Sequence, residues 1–188
     1  IKPLISRALQ LQLRSQFIRF KRSSWENLWP IDTSASKPRE LLKGWPEKKQ
    51  FALVLTHDVD TQKGHDCSKN LAALENSKGF SSSFNFVPER YNVDLSLLDA
   101  LRALGNEIGV HGLNHDGKLF QSYELFSKRA EKINNYIKQW QSVGFRAPAM
   151  HHNLDWIHLL NIEYDASTFD TDPFEPQSDG VGTIFPFW

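Results

Sequence analysis

Apolar and polar positions change rhythm near residue 50. Before it, Leu4, Ile5, Ala8, Leu9, Leu11, Phe17, Ile18 and Phe20 alternate with Arg7, Arg14, Arg19, Lys21 and Arg22, the pattern of a basic amphipathic helix. Residues 30–49 hold Pro30, Pro38, Gly44 and Pro46 among lysines, serines and glutamates, which reads as an irregular arm. After it, short apolar runs alternate with longer helical ones. Phe51–Thr56 reads as a buried strand, 65–78 as a helix, 82–87 as a strand, 95–104 as a helix and 107–110 as a strand. A long helix over 122–141 follows, with Leu125, Phe126, Arg129, Ala130, Ile133, Ile137 and Trp140 at helical spacing. Then come a strand tip at 144–147, a helix at 154–160 and a strand at 162–167. Strands that alternate with helices predict parallel pairing, hence an α/β fold.

The 188 residues balance 22 basic against 22 acidic side chains, yet the neutrality is a cancellation. Residues 1–50 carry eleven basic and four acidic groups, and residues 51–188 carry eleven and eighteen. The sequence thus divides into a basic arm, 1–49, and an acidic body, 50–188. The arm suits either an anionic membrane surface or packing of its apolar stripe on the body. The acidic body and the lack of any nucleic-acid motif argue against a nucleic-acid partner. No run of about 18 apolar residues predicts a transmembrane helix, and no signal-peptide pattern stands at the start. Compartment stays open between cytoplasmic and envelope-associated. The single cysteine, Cys67, excludes an internal disulfide and any cysteine-rich zinc module, and its helical context predicts a small buried hydrophobe.

Candidate chemistry gathers where the predicted strands end. His57-Asp58-Val59-Asp60 follows the first, His111-Gly112-Leu113-Asn114-His115-Asp116 the third, and Arg146-Ala147-Pro148 the fourth. In parallel α/β folds these ends share one face, so residues far apart in sequence converge there. Two histidines with a carboxylate from Asp58 or Asp60 suit zinc, iron, cobalt or a similar divalent ion with positions left open for water and substrate. If Asp58-Val59-Asp60 stays extended, both carboxylates face one cavity while Val59 faces the core. One then binds the ion and the other accepts a proton. Arg146 is placed to orient the base and keep it ionised. Glycines 109, 112 and 117 make the histidine segment a loop. The same ligand type serves non-haem iron redox enzymes, but the strand–helix alternation argues against that class.

Thr56-His57-Asp58-Val59-Asp60, His111-Gly-Leu-Asn-His115 and Arg146-Ala-Pro-Ala together resemble the first three motifs of the NodB-type polysaccharide deacetylases, family 4 of the carbohydrate esterases. The resemblance covers about residues 50–188. It implies a deformed, incomplete (β/α) barrel, TIM-like in kind, with the basic helical arm ahead of it. It also implies a hydrolase removing N- or O-acetyl groups from a polysaccharide or glycan with a divalent metal, commonly zinc. Carried over residue by residue, Asp58 resembles the catalytic base, Asp60, His111 and His115 the metal ligands, and Arg146 the residue that orients the base. The family sets its two acidic residues side by side, whereas Val59 separates them here, so Asp58 and Asp60 can exchange roles.

Tyr164-Asp165-Ala-Ser167-Thr-Phe-Asp170 looks like a fourth region lining the site, which makes Asp165 a substrate-side candidate. The family's late Leu-x-His motif, which supplies a general acid, is absent. The segment Gly182–Trp188 resembles a strand entered and then cut, so the acid is expected beyond Trp188. His151 and His152 are the local substitutes for it, and His151 is otherwise a substrate contact. Trp156 is the candidate sugar platform, Trp140 reads as core, and Trp25, Trp29 and Trp45 as pins for the arm. The alternative function is a non-catalytic domain that binds metal and glycan without the acid.

Overall fold

The structure, a computed structural model, describes residues 6–26, 42–168 and 181–188. Leu4, Ile5, Trp29 and Asp170 lie outside these. Internal contacts group Phe51–Thr168 as one unit and Ile1–Gln50 with Phe169–Trp188 as another.

In the first of these units, five short parallel strands form one sheet in sequential order. They are β1 (Thr56–Val59), β2 (Ser83–Phe86), β3 (Glu107–Val110), β4 (Gly144–Phe145) and β5 (Tyr164–Asp165). Each strand lies beside the one before it, the winding of an open, incomplete (β/α) barrel. Helices α2 (Gln62–Asn76), α3 (Leu95–Ala103), α4 (Tyr123–Gln139) and the single-turn α5 (Leu154–Ile157) connect them.

Side-chain alternation explains the layering. Val59, Phe84, Phe86, Ile108, Val110 and Phe145 pack into one core with Ala72 of α2, Leu98 and Leu101 of α3, and Phe126, Ala130, Ile133 and Ile137 of α4. The intervening positions, Asp58, Ser83, Asn85, Glu107, Gly109 and Gly144, are polar or glycine and make the opposite face. There Ser83 Oγ donates to Glu107 Oε1 at 3.3 Å, and the Tyr164 hydroxyl also donates to Glu107. Two glycines make room in this polar row. A Cβ at Gly144 would lie 2.3 Å from the Tyr164 ring, and one at Gly109 would lie 2.0 Å from Asn85 Oδ1.

Helices α2, α3 and α4 begin where hydroxyl or carboxylate side chains cap them. Thr61 Oγ1 accepts from Gly64 N at 3.2 Å, Asp94 Oδ1 from Ser96 N at 2.8 Å, and Ser122 Oγ from Leu125 N at 3.2 Å. The Thr61 cap starts α2 three residues before the expected position.

Four expectations need correction. The run Phe51–Leu55 is not strand: β1 starts at Thr56, and Phe51, Leu53 and Val54 are exposed. Its neighbour β2 starts only at Ser83, whose N–H reaches Leu55 O at 2.9 Å, so residues further upstream have no ladder partner. Cys67 is exposed rather than buried, because α2 turns His65, Ser68 and Ala72 inward. Residues 181–188 contain no strand; Gly182 has φ +66° and Phe185 N donates to Thr183 Oγ1 at 3.2 Å, a local turn. Helix α5 stops at Ile157, short of 160.

In the second unit, α1 (Arg7–Trp25) forms as the basic helix expected, capped by Ser6. Phe17 and Trp25 meet edge to face at 6.0 Å, with Lys21 Nζ above both rings. Leu9, Leu13, Phe17 and Phe20 are exposed, and Trp45 packs against Phe185. Among the described residues no helix is long and apolar enough to cross a membrane.

Phe126, fully buried on α4, ties helix to sheet. Phe126→Ala should lower unfolding free energy by about 3–5 kcal/mol, read from urea denaturation, and a loss under about 1 kcal/mol would contradict this core assignment.

Candidate functional site

The site forms at the carboxyl ends of β1, β3 and β4. Val59, the last residue of β1, points into the core, and its neighbours Asp58 and Asp60 both approach His111. Tyr91 fixes this end of the strand: its hydroxyl donates to Val59 O and accepts from Val87 N at 3.2 Å. Burial pushes the Tyr91 phenol up to about 12, so it stays a donor.

His111 follows β3 and is almost wholly buried. Its Nδ1 lies 2.8 Å from Arg146 O. A carbonyl only accepts, so Nδ1 carries the proton and Nε2 presents its lone pair to the cavity. Burial pushes the His111 pKa below the usual imidazole value, against the opposing pull of Asp58, the Arg146 carbonyl and Asp60. A neutral imidazole is the form that binds metal.

Asp60 Oδ1 lies 3.3 Å from His111 Nε2 and 3.2 Å from His115 Nε2. That oxygen is buried and has no hydrogen-bond partner. The three ligand atoms lie within 4.8 Å of one another. An orphaned carboxylate oxygen between two imidazole nitrogens is a donor set that suits a divalent cation, so the residues present fit one.

Asp58 has a different environment. Its Oδ2 is ion-paired with Arg146 Nε at 3.2 Å, and its Oδ1 accepts from Asn85 Nδ2 at 3.3 Å. Arg146 Nη1 also donates to Thr56 Oγ1 at 3.0 Å. Five of the sequence-selected residues, Asp58, Asp60, His111, His115 and Arg146, are therefore brought together.

The others are placed variously. His151 is exposed and lines a shallow depression with His115, Asp116, Phe120 and Pro148. Trp156 is half-buried against the core, stacked on Phe120 at 6.4 Å and edge-on to Tyr123, so it backs the depression's wall rather than lining it. Asp165 accepts from Ser167 Oγ through Oδ1, and its Oδ2 is buried without a partner. Burial raises its pKa, countered by the Ser167 bonds and by His152 and Arg146. His152 Nδ1 donates to Met150 O at 3.0 Å.

Asn85 escaped the sequence reading, although a polar residue between Phe84 and Phe86 in a strand was its signal. The second omission is Arg129, which forks onto Asp116 with Nη1–Oδ1 2.8 Å and Nη2–Oδ2 2.6 Å. An arginine inside the apolar stripe of 122–141 was the clue.

No family model matches the chain, and no curated protein does. Solved structures do. A Mycobacterium smegmatis protein assigned as a polysaccharide deacetylase superposes with TM-score 0.55 at 18% identity, over 66% of this chain and 54% of that one. The peptidoglycan deacetylase PdaC of Bacillus subtilis gives 0.48 at 17% identity, over 60% and 56%. A family 4 carbohydrate esterase of Streptomyces lividans, in complex with acetate, gives 0.47 at 14%, over 57% and 56%. The chain spans a little over half the length of each. Its fold is that of the NodB-type polysaccharide deacetylases.

Arg129 holds the Asp116 carboxyl down at about 2, below its ordinary 3.8. Between those values the unfolded chain binds more protons than the native one, so Asp116 contributes stability above about pH 4 that is lost as pH falls toward 2. Asp116→Asn should flatten that stretch of the stability curve relative to wild type, measured by thermal unfolding from pH 2 to 6. An unaltered slope would refute the linkage.

Proposed function

We propose that this protein is a metal-dependent deacetylase that hydrolyses N- or O-acetyl groups of a polysaccharide or glycan. The observation that carries this reading is the division of labour between the two carboxylates. Asp60 offers an unbonded oxygen to two imidazole nitrogens, while Asp58, one strand position away from Val59, is held by a guanidinium. The deacetylase-type fold supports it, because the same strand ends carry ligand sites in such barrels.

Asp60, His111 and His115 would hold the ion, with zinc favoured by a two-histidine, one-carboxylate set. When bound, a divalent ion there supplies Lewis acidity toward an acetyl carbonyl and acidifies water. Asp58 takes the proton of the attacking water. Arg146, with Asn85, fixes its orientation. His111 is kept neutral by burial and in the correct tautomer by the Arg146 carbonyl, so one residue serves both base and ligand. The departing nitrogen or oxygen takes its proton from a donor that these five residues do not supply. His151 is the substrate contact from the depression's rim. Trp156 acts by steadying Phe120, and Asp165, inward-bonded to Ser167, by its charge near Arg146.

The test is acetate release from acetylated chito-oligosaccharides and aryl acetates with zinc supplied. Asp58→Asn should lower kcat about 10²–10⁴-fold while leaving zinc bound. Chelation of the wild type should abolish turnover, and zinc should restore it. Failure of the zinc-loaded wild type to release acetate from every acetylated glycan tried would overturn the proposal.

A further inference from the structure

The loop that carries the two histidines is wound tightly. Gly112, His115 and Gly117 have φ of +66°, +54° and +71°. Two of these positions are glycine, the residue that adopts such angles without strain. At Gly112 the choice is forced from outside as well, since a Cβ would meet Pro148 Cδ at 2.7 Å. His115 is the exception. A side chain in the left-handed region is uncommon and costs free energy, which contacts outside the residue offset.

Its two neighbours are held by one group. Arg129 Nη1 donates to Asn114 Oδ1 at 3.3 Å, and the Asp116 carboxylate takes both arms of the same guanidinium at 2.8 and 2.6 Å. Asp116 Oδ1 also accepts from Lys118 N at 2.9 Å, which closes the turn on the far side. The anchor is rigid, because Arg129 belongs to α4, fixed by the buried residues Phe126, Ala130 and Ile133. A planar fork reaches three acceptors in fixed geometry, which an ammonium does not reproduce.

We propose that Arg129 is a positioning residue of the metal site: by gripping Asn114 and Asp116 it fixes His115 in the left-handed conformation that brings Nε2 to within 3.2 Å of Asp60. This inference rests on the reading of Asp60, His111 and His115 as metal ligands. It differs from ordinary outer-sphere support in acting on the ligand's backbone instead of its ring, since the hydrogen bonds of Arg129 go to Asn114 and Asp116 on either side of the imidazole-bearing residue.

The test measures Zn²⁺ affinity of the full chain by competition with a chromophoric chelator, at a temperature where every variant is folded by circular dichroism. Arg129→Ala should weaken binding about 10–100-fold, the range found when outer-sphere partners of metal ligands are removed, with Arg129→Lys in between. Lys132→Ala, which breaks the ion pair from the same helix to Glu89, should bind as wild type does. His115→Ala should lose most of the affinity. If Arg129→Ala does not fold, Asn114→Ala and Asp116→Asn carry the test, and each should weaken binding. A lower melting temperature with wild-type zinc affinity would mean a purely structural role and overturn the inference while the metal reading stands. Full affinity in His115→Ala would overturn both.

Discussion

Arg146 is the point through which the site is assembled. Its backbone N–H joins the β3 ladder at Val110 O, its carbonyl receives His111 Nδ1, and its guanidinium reaches Asp58 and Thr56 on β1. One residue at the end of β4 thus fixes the tautomer of a buried histidine and the orientation of a carboxylate from a strand not adjacent to its own. Both side chains stay partly open to solvent, so the pairing rests on geometry: Arg146 Nε lies 3.2 Å from Asp58 Oδ2 while Nη1 is held by Thr56 Oγ1.

The reach of that arginine depends on what lies beneath it. The face of the sheet carrying Asp58 is built from Ser83, Asn85 and Glu107, with glycine at 109 and 144 where neighbours need the space. A methyl group at 109 would displace Asn85 and with it one of the two contacts that orient Asp58. On the opposite face Val59, Phe84, Phe86, Ile108, Val110 and Phe145 lock against α2, α3 and α4, with His57 at the edge bonded to Glu75. Core and chemistry are therefore separated by a single side-chain alternation, and the stability of one layer sets the precision of the other.

Much of this was legible in the sequence, for identifiable reasons. Asp58, Asp60, His111, His115 and Arg146 stand out because polar clusters after apolar runs mark strand ends, and parallel strands bring such ends together. The starting point of β1 was not legible: Phe51–Leu55 has the composition of a buried strand, but a strand extends only as far as its neighbour, and β2 begins at Ser83. Cys67 misled for a similar reason, since the inward face of α2 is set by His65, Ser68 and Ala72, a mixed face that apolar periodicity does not reveal. Asn85 and Arg129 are polar residues in apolar surroundings, visible as anomalies but without a partner until the fold supplies Asp58 and Asp116. Trp156 and Asp165 show the limit of reading by residue type: both lie near the strand ends, yet each turns largely toward the protein.

The outward position of Cys67 has a practical side. It is the chain's only cysteine, it is exposed, and it lies on α2, the helix that begins two residues after Asp60. A maleimide dye or nitroxide attached there would occupy one defined place without any prior substitution. Its signal would report on the neighbourhood of the carboxylate cluster from the solvent side of the helix.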